Sequence, residues 1–330
     1  MTTEAQEPRT SAEIGGMGHS VKRKEDPRFI RGRGEYIDDV NLPGQLWLDI
    51  VRSPYAHATI KGIDATEALK IPGVLAVITG GDLEKAGLHW MPTLAGDKQM
   101  VLPVDEVMYQ SQEVAAVIAE TRYQAADAIN AVYVDYEPLP VVIDPFKALE
   151  PDAPVLRKDR GEDKQTNHIW HWEVGDKAAT QSAIDGADVV VAEDIYIPRI
   201  HVASIETCGC VADWDPVRQQ LTLHITSQAP HAIRTVIALV AAGAGLPIFE
   251  QNIRVKTHDI GGGFGGKVPV YPGYVLAVVA SLTVGKPVKW IEDRSENLQA
   301  DSFARDYHIT AEVAGKRDGT LTAVRVKTVA

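Results

Sequence analysis

The chain has 330 residues, of which 45% are apolar, and it carries a formal net charge of −12. This length suits about two folded domains, and an acidic balance without a basic face excludes a nucleic-acid-binding protein. No apolar run is long enough to span a membrane. The two cysteines, Cys208 and Cys210, are too close in sequence for an unstrained disulfide, so we expect a reduced, cytoplasmic, globular protein.

The first half of the chain predicts a small α/β domain after a disordered tail at residues 1–18. Apolar and β-branched runs predict strands at 46–52, 60–64, 74–79 and 113–119. Helical patterns lie at 65–69, before a Pro-Gly pair, and at 121–134. This mixture predicts a domain over residues 19–145, followed by a charged, proline-containing linker over residues 146–170.

Residues 171–330 predict the first part of a second domain that mixes helices and strands. Strand patterns lie at 188–196, 252–260, 288–293 and 321–327, with a hairpin at 210–215 and 221–226. Helical patterns lie at 231–240 and 273–282. Because the chain stops at Ala330 inside an apparent strand, we expect it to be the N-terminal part of a longer polypeptide.

Five glycines surround Phe264 in residues 260–267, between a predicted strand and a predicted helix. Glycine permits positive φ and close approach of the backbone to a ligand. Such a loop can present several N–H groups to an anion. We therefore predict a binding loop for a phosphorylated cofactor in preference to a tight structural turn.

A nicotinamide-dependent dehydrogenase is an alternative interpretation of the same loop. Gly261, Gly263 and Gly266 match the spacing of the dinucleotide fingerprint, and Glu292 or Asp293 follows at the end of a later strand, where a ribose-binding acid could lie. The late position of the loop in the chain and the large ring of Phe264 inside it disfavour a Rossmann unit.

Two other groups of polar residues have simple structural explanations. Gln228 offers an amide that donates and accepts hydrogen bonds, but on the residues alone a helix start capped by Ser227 is the simpler interpretation. Cys208 and Cys210 are better explained as buried, inert thiols than as a catalytic or soft-metal site. Neither an iron–sulfur cluster nor a structural thiolate zinc site is expected, because both need more thiol ligands at the usual spacings.

Taken together, these stretches resemble the large, molybdenum-cofactor-binding subunits of the xanthine dehydrogenase and aldehyde oxidase family. The marks of the family are residues 31–39, 52–58, 205–207, 226–228 and 261–267. Within the family, the carbon monoxide dehydrogenase branch is the most similar, on residues 89–97, 206–210, 271–274 and 302–308. The resemblance covers about residues 18–330.

The resemblance implies an α+β fold, with an α/β hammerhead domain followed by the first part of a molybdopterin-binding domain. It implies that Gln228 and Phe264 stand beside molybdenum without ligating it, together with the backbone of Gly263 and Gly265. No catalytic residue is expected in the chain itself, because the family's glutamate base and the copper-binding cysteine loop of the carbon monoxide dehydrogenases lie beyond Ala330.

The resemblance also implies a molybdenum–molybdopterin cofactor, in its cytosine dinucleotide form, and copper in a full-length enzyme. Electrons would pass to an iron–sulfur small subunit and an FAD-binding medium subunit, in a dimer of heterotrimers located in the cytoplasm or at the inner face of the membrane. The implied reaction oxidises carbon monoxide to carbon dioxide with water as the oxygen source; an aldehyde or an N-heterocycle is the alternative substrate. An inactive docking scaffold is a third hypothesis for the segment alone.

Overall fold

The computed structural model describes residues 22–93, 98–156 and 166–330. The predicted tail at residues 1–18 and residues 157–165 of the predicted linker lie outside the described residues. The strands are β1 Leu46–Arg52, β2 Ala58–Asp64, β3 Val74–Thr79, β4 Trp90–Pro92, β5 Lys98–Met100, β6 Glu106–Val107, β7 Glu113–Ala119, β8 Tyr133–Pro138, β9 Val189–Ile197, β10 Gly209–Asp215, β11 Gln220–Ile225, β12 Ile253–Thr257, β13 Val288–Ile291, β14 Tyr307–Gly315 and β15 Leu321–Val329.

The α-helices are α1 Asp26–Phe29, α2 Gly80–Lys85, α3 Arg122–Ile129, α4 Lys177–Asp185, α5 Pro230–Gly243, α6 Pro272–Val284 and α7 Arg294–Ala300. Short 3₁₀ turns lie at Ile37–Asp39, Ala68–Lys70, Lys147–Leu149 and Glu250–Asn252. None of the helices in the described part of the chain combines the length and the apolar character that a membrane crossing needs.

A seven-stranded mixed sheet joins the two halves of the chain, in the order β12-β11-β10-β13-β1-β7-β3. The junction is the parallel pairing of β1 with β13, in which Leu46 lies opposite Val288. Three smaller sheets are β15-β14-β9, β6-β2-β8 and β4-β5. Strands from both predicted domains therefore share one sheet, while the domain boundaries predicted from the sequence stay a prediction.

Helix α6 lies at the centre of the largest core. Its residues are apolar on every side, which is typical of a helix that is buried all round, and residues from Pro272 to Ser281 are buried. The helix starts with Pro272 in its first turn and ends at Gly285, whose φ of 65° is the left-handed cap that glycine favours. A Cβ on Gly273 would lie 2.5 Å from the Trp290 ring, so only glycine lets α6 pack on β13 here.

Most predicted strands are confirmed, and two predicted helices are wrong in extent or type. The pattern at 65–69 forms a turn that leads into the 3₁₀ segment Ala68–Lys70. The helix predicted over 121–134 ends at Ile129, because Tyr133–Pro138 pairs with β2 as strand β8. The sequence patterns do not predict helices α1, α2, α4 and α7 or strands β4, β5, β6, β8 and β14.

Candidate functional site

The two segments that carry the candidate site meet at one edge of the large sheet. β11 and β12 are parallel neighbours, with Ile225 opposite Thr257. Because parallel strands end at the same edge, the turn after β11 and the glycine loop after β12 lie side by side. The first turn carries Gln228 into α5, and the second carries residues 260–267 towards α6.

The side chain of Gln228 lies against the glycine loop. Its Oε1 accepts hydrogen bonds from the N–H of Gly265 at 3.0 Å and from the N–H of Lys267 at 3.3 Å. Its own backbone N–H donates to the Lys267 carbonyl at 2.9 Å. A Cβ on Gly263 would lie 2.5 Å from Gln228 Oε1. The structure therefore brings residues 228, 263 and 265 together, as the resemblance implies, while their role towards a cofactor stays a prediction.

The interpretation of Ser227 as a helix cap is wrong. Helix α5 starts at Pro230, and its N-cap is Ala229, which makes no side-chain cap bond. The Ser227 hydroxyl accepts from the Ala229 N–H at 3.0 Å and donates to the Lys267 carbonyl at 3.2 Å. Ser227 therefore fixes the turn before the helix against the end of the glycine loop.

The loop backbone takes up left-handed conformations at three positions. Gly262 has φ 102°, Gly265 has φ 96°, and Phe264 between them has φ 49°. A residue other than glycine held in this region carries about 1–3 kcal/mol of strain, which is commonly found at functional sites. The Phe264 ring is 76% exposed, so burial of the ring does not offset the strain.

The tip of the loop presents hydrogen-bond donors. Within the described residues, the N–H groups of Gly262, Gly263 and Phe264 have no acceptor, whereas the flanking amides are bonded to Glu206 and Gln228. The Nε2 group of Gln228 also has no acceptor there. Successive free amides in such a turn form a concave site for an oxyanion, and the amide of Gln228 adds a neutral donor.

The second half of the loop, from Phe264 to Gly266, lines a cleft of about 1050 Å³. Both halves of the chain line it; among the lining residues are His57, Tyr109, Arg199, Phe264, Tyr271 and Arg305. The Tyr271 hydroxyl donates to the Gly266 carbonyl at 2.6 Å and accepts from the Ser302 N–H at 3.2 Å. Tyr271 thereby connects the end of the loop to the segment after α7, which also lines the cleft.

Beneath the loop lies a buried ion pair that sequence reasoning missed. Lys267, only 2% exposed, donates from Nζ to Glu206 Oε2 at 2.8 Å. The sequence singled out both residues, Glu206 beside the cysteines and Lys267 at the end of the loop, but not as partners. The position of Lys267 directly after the glycine loop is the available signal, because a lysine that the fold buries almost always has a partner.

The two cysteines lie in the core, as the sequence predicts. Both are buried and free, and burial raises the pKa of each thiol. Cys208 Sγ donates to Asp301 Oδ2 at 3.4 Å. Cys208, Glu292 and Asp301 bring possible metal ligands together, and the Asn297 amide donates to both carboxylates, at 3.2 and 2.6 Å.

The Rossmann alternative is wrong for this loop. β12 and β13 flank the loop and α6 along the chain, but two other strands separate them in the sheet, whereas a Rossmann unit needs them to be neighbours. Glu292 is buried against Asn297 and the Cys208 N–H. Asp293 caps α7 through the Glu296 N–H at 2.7 Å. Neither carboxylate serves the glycine loop.

Comparison with known proteins matches both halves of the chain to one family. Residues 161–330 match the molybdopterin cofactor-binding domain, and residues 31–140 match the a/b hammerhead domain of aldehyde oxidase and xanthine dehydrogenase. The carbon monoxide dehydrogenase large chain of Hydrogenophaga pseudoflava is 52% identical over 325 residues, and that of Afipia carboxidovorans is 54% identical over 328 residues. Each alignment covers 96% of this chain and 40% of the relative.

A solved structure of a Cu,Mo-CO dehydrogenase in its carbon monoxide reduced state superposes with a TM-score of 0.88 at 54% identity. It covers 93% of this chain and 39% of that chain. The chain thus spans about 40% of the length of the curated relatives that it matches. These matches confirm the predicted order of a hammerhead domain and a molybdopterin-binding part. The chain belongs to the xanthine dehydrogenase and aldehyde oxidase family, as part of a molybdenum-binding large subunit.

Proposed function

We propose that the glycine loop and Gln228 hold the molybdenum–molybdopterin cofactor of a hydroxylase that oxidises carbon monoxide to carbon dioxide. The observation that carries this proposal is the fit of Gln228 into the loop, beside the free amides of Gly262, Gly263 and Phe264. Because the chain spans about 40% of its relatives, we assign to it the binding of the cofactor and not the complete reaction.

The residues present fit such a cofactor. The loop offers N–H donors and no charge at its tip, which suits metal-bound oxygen atoms and pterin acceptors. When bound, the cofactor supplies two-electron redox chemistry that side chains cannot. The chain would orient it through the loop amides and the Gln228 Nε2 group, and the exposed Phe264 ring is available to pack against it.

The form of the cofactor, the copper, the partner subunits and the oxygen source are proposed from the similarity to the carbon monoxide dehydrogenases. We propose copper in the complete enzyme because one similar structure is a Cu,Mo-CO dehydrogenase, and the cytosine dinucleotide form of the cofactor because the resemblance to this branch of the family implies it. Electrons would leave through an iron–sulfur subunit and an FAD-binding subunit, in a dimer of heterotrimers. Water is the proposed oxygen source.

The test is an assay of the enzyme that contains this chain, purified with its natural partner subunits. We expect reduction of an artificial electron acceptor that depends on carbon monoxide, with about one molybdenum and one pterin dinucleotide per large subunit. Full molybdenum content with oxidation of an aldehyde or an N-heterocycle, and none of carbon monoxide, would overturn the substrate assignment. Absence of molybdenum and pterin from the folded complex would overturn the binding site.

A further inference from the structure

One carboxylate oxygen beneath the glycine loop collects three donors. Glu206 Oε2 accepts from the Gly261 N–H at 2.8 Å, from the Thr226 hydroxyl at 2.7 Å and from Lys267 Nζ at 2.8 Å. Lys267 Nζ also donates to Thr226 Oγ1 at 2.9 Å. Three separate segments therefore meet at one point: the start of the loop, its end, and the turn that carries Gln228.

The backbone of Glu206 is tied to the same loop. Its N–H donates to the Gly261 carbonyl at 3.1 Å, and a Cβ on Gly261 would lie 2.4 Å from the Glu206 Cβ. The other carboxylate oxygen, Oε1, accepts from the Ile37 N–H at 3.2 Å. Glu206 is thus held from two sides, and it holds Gly261 in turn.

We propose that Glu206 and Lys267 are positioning residues for the candidate cofactor site. Their buried ion pair fixes both ends of the glycine loop relative to Thr226, and so keeps the free amides of residues 262–264 beside Gln228. The proposal rests on the proposed function for the identity of the ligand, but the effect on the loop itself does not depend on any ligand.

The physical reason is the flexibility of the segment between the two ends. Residues 261–266 include five glycines, which have many accessible conformations when unrestrained. Free amides bind a ligand well only if they are already ordered, since otherwise binding must supply the cost of ordering them. Neither residue touches the free amides, so both act through the geometry of the loop.

The test uses the complete large subunit in complex with its partners, produced once with and once without molybdenum. The variants are Lys267→Met and a double variant that combines Glu206→Gln with Lys267→Met. Only the double variant leaves no unpaired buried charge. The control is Lys289→Met, because Lys289 is equally buried and bonds to the carbonyls of Asp38 and Val40 but not to the loop. Hydrogen exchange of peptides covering residues 258–268 is measured on the molybdenum-free complexes.

We expect loop exchange to become roughly tenfold faster in both Lys267 variants, while the control stays within about twofold of wild type. In the molybdenum-loaded preparations, both variants should lose most of their bound metal, and the molybdenum(V) resonance signal of the remaining metal should change in shape. Equal loop exchange in Lys267→Met and Lys289→Met would overturn the positioning role. A wild type without bound molybdenum would instead overturn the proposed function, and the exchange comparison would still decide the positioning role.

Discussion

Gln228 and Gly263 are in such close contact that residue 263 has no room for a side chain. A Cβ there would lie 2.5 Å from Gln228 Oε1 and 2.6 Å from Gln228 Cδ. The φ of Gly263 is not in the left-handed region, so the requirement for glycine at this position comes from space and not from backbone conformation. The contact sets the depth at which the Gln228 amide lies in the loop.

Gly263→Ala should therefore displace Gln228 and weaken cofactor binding. We expect a loss of about 1–3 kcal/mol in the free energy of unfolding, because two loop amides lose their acceptor, together with a large fall in molybdenum per chain. Gly243→Ala is the matched control: nothing lies within 4 Å of its Cβ position at the end of α5. Urea unfolding and metal analysis of both variants check this, and equal metal content in the two would contradict it.

Substitution of Gln228 should separate its role in the loop from its role towards the cofactor. Gln228→Ala removes the acceptor for the Gly265 and Lys267 amides, so both stability and molybdenum content should fall. Gln228→Glu keeps an acceptor oxygen for these amides and replaces the Nε2 donor by a negative charge. We expect near-native stability but low molybdenum content in Gln228→Glu, measured by thermal unfolding and metal analysis. Full molybdenum content with full activity in Gln228→Ala would show that Gln228 has only a structural role.

Truncation of Phe264 should affect turnover more than binding. The ring is largely exposed and stands at the cleft, so Phe264→Ala should lower activity per bound molybdenum while most of the metal stays bound. Phe264→Gly also relieves the left-handed strain of about 1–2 kcal/mol, which the greater entropy of glycine in the unfolded chain partly offsets. Its free energy of unfolding should stay within about 1 kcal/mol of wild type. Unchanged activity per molybdenum in Phe264→Ala would contradict a role at the site.

The buried pair Glu292 and Asp301 should make stability depend on pH. Burial, and then repulsion by Asp301, raises the pKa of Glu292 in the folded chain, although Arg52 opposes this effect. When the pH is above the ordinary glutamate pKa of 4.5, the Glu292 carboxyl has lost its proton in the unfolded chain but still holds it in the folded chain. Unfolding free energy therefore falls as pH rises from that value towards the raised pKa, by at most about 1.4 kcal/mol per pH unit.

Glu292→Gln replaces the protonated carboxyl by a neutral amide of similar shape. The unfolding free energy of the variant should fall less steeply as the pH rises. Compared with wild type, the variant should therefore gain stability at the alkaline end of the range. Urea unfolding of both proteins at several pH values between 5 and 9 measures the difference. Parallel slopes for wild type and variant would mean that Glu292 is ionised in the folded chain.

The sequence predicts the parts of the fold that local pattern controls. Strands β3 and β7 and the β10–β11 hairpin follow from compact apolar runs and turn residues. The helix predicted over 121–134 runs too far because alanine periodicity continues into residues whose partner, β2, lies about 70 positions earlier. The pairing of β1 with β13 joins residues 46–48 to residues 288–290, and no local pattern carries that information.

The candidate site also has one part that local sequence predicts and another that depends on the pairing of distant strands. The glycine loop is visible as a local motif, whereas the placement of Gln228 beside it requires β11 and β12 to be parallel neighbours. Spacing alone favoured a helix cap at Ser227, and only the resemblance to the family placed Gln228 at the cofactor. The pair of Glu206 with Lys267 spans 61 positions, and its two members sit in motifs that each have another simple interpretation.

The measurement that tests the central claim most directly is the molybdenum and pterin content of the purified, folded complex, for wild type and for Gly263→Ala beside Gly243→Ala. We predict about one molybdenum and one pterin dinucleotide per large subunit in wild type and in Gly243→Ala, and a large loss of both in Gly263→Ala. Equal occupancy in all three proteins would show that the cofactor does not depend on the contact between Gln228 and the glycine loop.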